Sequence, residues 1–298
     1  MRRLSLDHGH GHLRGPLAPE CRTVQFSTPQ SDETLQRMAR LMRDRPDVEL
    51  YVFGGVKDLD FLKHFETLRR LHLAVWDIDD VSGFAYLGSD FESLTFSATR
   101  KRFSLRFLET LPGLRSLFLQ GHTKDLDLVR GLTGLRSIGL SGIPLADLSM
   151  LVPLQELTDV FVGFSKTRDL WALRDLPKLA NLRILRITEL AAVDFLRELV
   201  GLTSVELNWL RNVERLPNLS RLASLQSVTL DTMKGLQEIA GVAAAPALQR
   251  LAVAACPSLT AASFRCLIGH PTLRELWGYT GRTRVNAEIK KMFPGIAR

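Results

Sequence analysis

The stretch LTGLRSIGLSGIPLADLSML, from Leu132 to Leu151, places apolar residues at intervals that fit neither one helix nor one strand. Leu135, Ile138 and Leu140 lie three and then two residues apart, which gives the frame L-x-x-L-x-L. Ile138 and Leu140 alternate with small or polar neighbours, so both side chains are expected on the same side of a short strand. The stretch is therefore predicted to be one unit of something that recurs.

The same frame recurs along most of the chain. Its first positions are Leu68, Phe91, Leu114, Leu135, Leu157, Leu182, Leu202, Leu225, Leu248 and Leu273. A weaker, earlier copy lies at Leu50 and Val52. The mean step is about 23 residues, which indicates a repeat architecture in which every repeat is one coil of a solenoid. The steps are uneven around Leu182, since the step before it is longer than the step after it.

This spacing resembles the bacterial internalin-like type of leucine-rich repeat, L-x-x-L-x-x-L-x-L-x-x-N-x-I-x-D-I, over roughly Val48 to Tyr279. The resemblance implies an α/β fold, a right-handed leucine-rich-repeat solenoid of about eleven repeats. It implies a parallel β-sheet on the concave face and short helical or 3-10 turns on the convex face. The resemblance is specific for the fold and unspecific for function.

One column of the repeat departs from the family pattern. The family places asparagine three residues after the last strand leucine, where its side chain satisfies buried loop amides. In this chain the column contains no asparagine; it holds Trp76, Thr99, His122, Ile143, Ser165, Leu190, Leu210, Met233 and Cys256. Because the loop amides then need other partners, we expect an irregular coil.

The two ends are expected to carry helical caps, because a terminal repeat would otherwise expose its core. Ser31 to Arg43 has apolar residues on one helical face, and the stretch NAEIKKMF predicts a second helix with Asn286 as its N-cap. We therefore predict a single structural domain. Residues 1–47 form an N-terminal segment, with a strand or hairpin through TVQFST, and a helical cap; residues 48–279 form the repeats, and residues 280–298 form the C-terminal helical cap.

Residues that alternate with the buried strand positions are expected to face outward from the concave sheet. Aromatic anchors are common in protein interfaces, so Phe118 and Phe161 are predicted to contact a partner. For Tyr51, Phe53 and Trp277, contact with the terminal caps is an equally open interpretation. The predicted partner-binding residues are Tyr51, Phe53, Arg70, His72, Phe118, Gln120, Asp159, Phe161, Arg186, Glu206, Asp231, Trp277 and Tyr279.

The formal net charge is +7, yet the outward strand positions are predicted to be mildly acidic. Basic residues instead follow the first repeat leucine on one flank and occupy the loops after the strands on the other, as at Arg100, Lys101 and Arg102. Solvated charge explains both rows without a ligand. Nucleic-acid binding favours a basic track with stacking aromatics among it, and the aromatics are predicted on a different face.

A metal site is considered at His8, His10 and His12, which alternate with glycine. An extended chain would place the three imidazoles on one side, where they could bind a transition metal. No cysteine or acidic cluster nearby completes a site, so adventitious binding or plain surface is favoured.

The sequence indicates no enzyme and no cofactor. Cys256 and Cys266 have no paired histidine and acid, and the chain has neither a glycine-flanked serine elbow nor a phosphate-binding glycine loop. No apolar run of about 18 residues suggests a membrane span. The start of the chain lacks the apolar middle of a secretion signal, so we predict a cytoplasmic location.

We therefore expect a non-enzymatic protein–protein interaction module that binds a protein partner on its concave face. A sharper hypothesis is an inhibitor or immunity-type protein that blocks an enzyme or toxin. The alternative is a nucleic-acid or anionic-surface binder that uses the basic loop flanks. Steep weakening with salt would indicate the alternative.

Overall fold

The structure is a computed structural model that describes residues 2–6 and 15–296. His8, His10 and His12 lie outside the described residues, so the interpretation of that segment is not tested. The chain divides into two compact units, Met1–Ile138 and Gly139–Arg298. This boundary falls within the repeats, and the predicted organisation as a single structural domain stays a prediction.

The first unit is a parallel sheet of short strands joined by a helix and by 3-10 turns. From β1 to β6, each strand pairs in parallel with the next one in the sequence. The strands are β1 (Arg2–Ser5), β2 (Cys21–Phe26), β3 (Glu49–Phe53), β4 (Arg70–Ala74), β5 (Ser93–Phe96) and β6 (Ser116–Gln120). The helix is α1 (Asp32–Met42), and the 3-10 turns are Asp60–His64, Ser82–Tyr86, Arg106–Thr110 and Leu126–Gly131.

The second unit repeats this plan. Strands β8 to β13 also pair in parallel, each with the next in sequence. They are β8 (Asp159–Gly163), β9 (Asn181–Leu185), β10 (Ser204–Asn208), β11 (Ser227–Asp231), β12 (Arg250–Ala254) and β13 (Glu275–Tyr279), while β7 (Ser137–Ser141) spans the boundary of the units. The helices are α2 (Ala240–Ala243) and α3 (Thr283–Met292), and the 3-10 turns are Ser149–Leu151, Trp171–Asp175, Asp194–Glu198 and Ala261–Leu267.

Alternate strand residues fill the interior of each coil. Leu71 and Leu73 of β4 are fully buried, whereas Arg70 is exposed, and Val205 and Leu207 of β10 are buried in the same way. Full burial of such a side chain contributes about 1.5–3 kcal/mol. One coil obtains that burial only by stacking on its neighbours. The predicted α/β leucine-rich-repeat fold, with a parallel sheet and short 3-10 turns, is confirmed.

The register of one repeat differs from the prediction. The frame predicted at Leu182, Leu185 and Ile187 is wrong by three residues, because the strand there buries Leu182 and Ile184 and leaves Leu185 half-buried. Leu179, which is buried, takes the place of the first leucine of the frame. The step before this repeat shortens and the step after it lengthens, so the spacing that looked uneven becomes regular.

Pairing with the neighbouring strands selects this register. The stretch has apolar residues at three-residue intervals, so two frames fit the sequence equally well. In the structure Leu182 pairs with Val160 on one side and with Val205 on the other. The outward positions of β9 are therefore Asn181, Arg183 and Leu185, and not Ile184, Arg186 and Thr188, which alternate with Leu185 and Ile187 of the predicted frame.

A backbone ladder in the second unit replaces the missing asparagine column. The residue directly after each of five consecutive strands has a left-handed backbone conformation: Phe164 (φ 53°), Arg186 (51°), Trp209 (58°), Thr232 (53°) and Ala255 (48°). Their amide N–H groups donate to the carbonyls of Leu185, Asn208, Asp231, Ala254 and Tyr279 over 2.8–2.9 Å. The expectation of an irregular coil is therefore wrong for these repeats, since the backbone satisfies itself from one repeat to the next.

Both predicted caps are helices. Helix α1 begins after Ser31, whose Oγ accepts a hydrogen bond from the Thr34 amide, and it buries Leu35, Met38 and Met42. The strand predicted through TVQFST is β2. The second cap, α3, begins at Thr283, so the prediction of Asn286 as its N-cap is wrong.

Asn286 has a different structural role. Its Oδ1 accepts hydrogen bonds from the amide and from the hydroxyl of Thr280, each over 2.9 Å. The side chain thus ties α3 to the residue that directly follows β13. On its inner face the helix buries Ile289.

Candidate functional site

The candidate site is the outward face of the strands in each unit, meaning the side opposite the buried leucines. In the first unit its aromatic residues contact one another. Tyr51 and Phe53 stack with their ring centroids 5.0 Å apart, and the ring of His72 lies 4.5 Å from that of Tyr51. Arg3 of β1 places its guanidinium 5.9 Å from the centroid of the Tyr51 ring. All three rings are half-buried, so part of each remains accessible.

Charge and burial act together in this cluster. Burial raises the pKa of Glu49, and the nearby Arg70 and Arg3 oppose that rise. Burial also lowers the pKa of His72, and Arg3 lowers it further. His72 is therefore neutral at neutral pH. Arg3, which was not predicted to lie on this face, contributes a positive charge to it.

Phe118 and Gln120 occupy the last strand of the first unit. The Phe118 ring lies outward and half-buried, between the buried residues Leu117 and Leu119. Gln120 is exposed, and its Oε1 accepts a hydrogen bond from the Ala98 amide over 3.4 Å. The outward orientation predicted for Phe118 is thus confirmed, while a role in partner binding stays a prediction.

Phe161 lies outward in the second unit and is held in place from two sides. Its ring rests on Gly163, where a Cβ atom would lie 2.6 Å from the Phe161 Cζ. The guanidinium of Arg183 lies 5.5 Å from the ring centroid. Arg183 was predicted on a flank of the coil, and the corrected register brings it onto the outward face.

Two acidic residues of this face accept hydrogen bonds from neighbouring side chains. Asp159 accepts hydrogen bonds from the Asn181 amide group over 2.9 Å and from the Thr158 hydroxyl over 2.6 Å. Asp231 accepts one from the Thr232 hydroxyl over 2.8 Å. Outward positions of β8 to β13 carry the carboxylates of Asp159, Glu206, Asp231 and Glu275 against the guanidinium groups of Arg183 and Arg250. This part of the face is therefore net negative.

Trp277 and Tyr279 are the outward aromatics of β13. Their side chains are 46% and 66% exposed. Helix α3 contacts the other side of this strand, where a Cβ atom on Gly278 would lie 2.7 Å from the Ile289 Cγ2. The terminal helix therefore packs against the inner side of β13, and the two interpretations of Trp277, partner binding and contact with the cap, both stay predictions.

A further group of side chains lies directly after the strands of the second unit. We call Phe164, Arg186 and Trp209 the post-strand stack. The Arg186 guanidinium lies 5.8 Å from the ring centroids of both Phe164 and Trp209, and each aromatic side chain is 49% exposed. Arg186 was predicted within a strand, and neither aromatic residue was among the predicted contacts. Extending each correct frame by one residue past the strand would have found all three.

Reactive chemistry has little support among the described residues. No group of three or more His, Cys, Asp and Glu side chains there could hold a metal ion. Burial raises the pKa of the Cys256 thiol to about 11, so it is neutral at neutral pH. Its Sγ lies 3.2 Å from the Ala254 carbonyl oxygen. Within residues 2–6 and 15–296 no helix is long and apolar enough to cross a bilayer.

Comparison with known proteins supports the fold. No protein-family model matches the chain, and no curated protein matches it. Among solved structures, the internalin InlF of Listeria monocytogenes is similar over 92% of this chain and 77% of its own length, with 19% identity and a TM-score of 0.58. A leucine-rich-repeat protein of Leptospira interrogans gives 95% and 92% coverage, 14% identity and a TM-score of 0.45. The mouse RP105/MD-1 complex gives 88% and 61% coverage, 14% identity and a TM-score of 0.49. The similarity to InlF shows the leucine-rich-repeat fold.

Proposed function

We propose that this chain, which has the leucine-rich-repeat fold, is a non-enzymatic module that binds a protein partner on the outward face of its sheet. The observation that carries the proposal is the ring of Phe161, held outward between Gly163 and the guanidinium of Arg183. Aromatic and arginine side chains dominate the binding energy of protein interfaces. A pair that is already ordered by its surroundings loses little conformational freedom on association.

The outward aromatics at the two ends of the chain support the same function. Tyr51 and Phe53 form a half-buried stack in the first unit, and Trp277 and Tyr279 are exposed in the second. All of them project from strands, whose backbone is fixed by pairing with neighbours. Exposed aromatic groups on a rigid surface are typical of protein-binding sites. Of the remaining predicted contacts, Arg186 lies after its strand, and the others occupy outward strand positions: Arg70, His72, Gln120, Asp159, Glu206 and Asp231.

The charge of the second unit indicates the chemistry of the partner. The net negative outward positions of β8 to β13 favour a basic segment, and complementary charge speeds association and selects partners. In the first unit Arg3 and Arg70 face one carboxylate, that of Glu49, so the basic segment is expected at the second unit. An inhibitor or immunity-type protein that covers a basic surface of an enzyme or toxin fits this distribution. A cytoplasmic location is part of this proposal.

The basic loop of the first unit gives little support to the alternative function of binding nucleic acid or an anionic surface. Arg100 forms an ion pair with Asp77, with 2.6 Å between its Nε and the carboxylate. Lys101 forms one with Asp79 over 2.5 Å. Arg100 and Lys101 are thus matched by neighbouring carboxylates, which leaves less net charge for a phosphate.

The proposal is tested by affinity capture from the native cytosol with tagged protein. Phe118→Ala combined with Phe161→Ala is expected to lose the captured partner, because both outward aromatic anchors are removed. The matched control is Arg100→Ala with Lys101→Ala and Arg102→Ala, which changes an exposed loop and is expected to retain the partner. Circular dichroism verifies that both variants are folded. Equal losses from the two sets, or retention by both, would contradict the assignment of the binding face.

A further inference from the structure

The post-strand stack combines exposed aromatic rings with a guanidinium group. Phe164 and Trp209 are each 49% exposed, and Arg186 lies between them at 5.8 Å from both centroids. Among the described residues no carboxylate forms an ion pair with Arg186. At this distance the guanidinium is within cation–π range of both rings, and its N–H groups are still able to bind an anion.

The three residues of the post-strand stack adopt a strained backbone conformation. All three residues have positive φ values between 51° and 58°, a conformation that large side chains seldom adopt. Glycine would satisfy the same hydrogen-bonded ladder without that strain. Large side chains at these positions are therefore not explained by the fold alone, and strained residues of this kind concentrate at functional sites.

Three cations occupy loop positions shortly after residues of the backbone ladder. Lys166, Arg211 and Lys234 each follow a residue of the backbone ladder by two positions, and all three are exposed. None of them has an ion-pair partner in the described part of the chain. Glu189, in the loop that follows Arg186, forms an ion pair with Arg168 over 2.5 Å. The positive charge of Lys166, Arg211 and Lys234 is therefore available to a ligand, unlike that of Arg100 and Lys101 in the first unit.

We propose that the post-strand stack and these three cations form a binding surface for single-stranded nucleic acid. Stacking platforms among positive charges are the recurring feature of sites that bind single strands without sequence preference. The sequence predicted aromatics and cations on different faces, which spoke against nucleic-acid binding. In the second unit both kinds of residue occupy the positions that follow the strands.

The combination of groups favours a nucleic acid over an acidic peptide. An acidic peptide offers carboxylates to Lys166, Arg186 and Arg211. Its residues do not each carry a planar group that could stack on the exposed rings. Each nucleotide supplies a phosphate and a base with a π-face. This surface is separate from the outward face that carries Phe161, so it does not depend on the proposed protein-binding function.

The test is fluorescence anisotropy with a fluorescein-labelled oligothymidylate of about twelve nucleotides, a length suited to a site of about 4–16 nucleotides. The wild-type protein is expected to bind it, with an affinity that falls with salt by a slope of about −0.7 for each phosphate contact. Phe164→Gly with Trp209→Gly is expected to weaken binding at least about tenfold, because glycine keeps the backbone and removes the stacking rings. Arg186→Gln is expected to weaken binding and to lower the salt slope.

A matched control exists in the same unit. The indole of Trp171 lies 6.0 Å from the guanidinium groups of Arg174 and Arg197, on a 3-10 turn away from the strands' carboxyl ends. Trp171→Leu with Arg197→Gln removes a similar ring and charge and is expected to leave binding unchanged. Phe118→Ala with Phe161→Ala is also expected to bind the oligothymidylate normally, which separates this proposal from the protein-binding one.

Three outcomes would overturn the proposal. They are no binding by the wild-type protein at low salt, equal weakening by the post-strand and control variants, and unchanged binding after removal of the stack. A labelled oligoglutamate peptide serves as a second probe. If that peptide binds as tightly and is lost in the same variants, the surface belongs to an acidic protein partner and not to a nucleic acid. Thermal unfolding followed by circular dichroism verifies that each variant is folded.

Discussion

The guanidinium of Arg183 lies 5.5 Å from the centroid of the Phe161 ring. The two residues are paired across β8 and β9, so the contact is fixed by the sheet and not by a flexible loop. A cation over an aromatic face at this distance is attracted by the ring quadrupole. The pair thus links the corrected register of β9 to the surface that we propose for partner binding.

A double-mutant cycle measures the interaction free energy between Arg183 and Phe161. We expect Arg183→Gln and Phe161→Leu to be coupled in the free energy of unfolding by about 0.5–1 kcal/mol, the range for exposed cation–π contacts. Urea denaturation of the wild type, both single variants and the double variant gives the value. The control cycle combines Phe161→Leu with Arg250→Gln, since Arg250 lies on β12 and does not contact the ring. Additive effects of Arg183→Gln and Phe161→Leu would contradict the contact.

Substitution of Ala255 by glycine is predicted to stabilise the second unit. Ala255 has a φ of 48°, and a left-handed alanine is strained by about 1–2 kcal/mol. Glycine removes this strain. It also loses more conformational entropy on folding than alanine, at a cost of about 0.5–1 kcal/mol. We therefore expect Ala255→Gly to raise the free energy of unfolding by up to about 1 kcal/mol.

The control for this substitution is Ala252→Gly, a change of the same atoms within β12. Ala252 is not among the residues with positive φ, so only the entropy loss applies and destabilisation by about 0.5–1 kcal/mol is expected. Urea denaturation monitored by circular dichroism compares the two. Equal destabilisation by both would mean that the ladder residues are not strained.

Acid is predicted to destabilise the first unit through His122. This imidazole is buried, its ring stacks on Phe96 with 3.8 Å between centroids, and its Nε2 lies 3.0 Å from the Ser97 carbonyl oxygen. Burial lowers its pKa from the ordinary value of 6.5. The unfolded chain therefore binds the proton more readily, and this contribution to stability is complete above that value and is lost as the pH falls below it.

His122→Asn tests this dependence. It introduces the asparagine that the repeat family places in this column, which keeps a hydrogen-bond donor and removes the titrating group. We expect the free energy of unfolding to fall less between about pH 7.5 and about pH 5.5 in the variant than in the wild type. Urea denaturation at both pH values gives the comparison. An identical fall in both proteins would assign the acid sensitivity to other groups.

Repetition made most of the fold predictable, while backbone geometry decided what was missed. Leu71 and Leu73 could be assigned to the core from spacing alone, because every coil buries the same positions. The backbone ladder that includes Trp209 could not be predicted, since nothing in the sequence marks a bulky residue with a left-handed backbone. For the site, outward alternation placed Phe118 and Phe161 correctly. Arg183 was missed because the order of leucines in its repeat allows two frames.

The choice between those two frames gives the last prediction. The structure buries Ile184 completely and leaves Leu185 half-buried, whereas the frame read from the sequence alone would bury Leu185 and expose Ile184. Ile184→Ala is expected to lower the free energy of unfolding by about 2–5 kcal/mol, as for other large apolar core residues. Leu185→Ala is expected to lower it by less than about 1.5 kcal/mol, because Leu185 is only partly buried and less apolar surface is lost. Urea denaturation of both variants under the same conditions shows which of the two registers β9 adopts. A larger effect at Leu185 would return β9 to the other register and would remove Arg183 from the outward face.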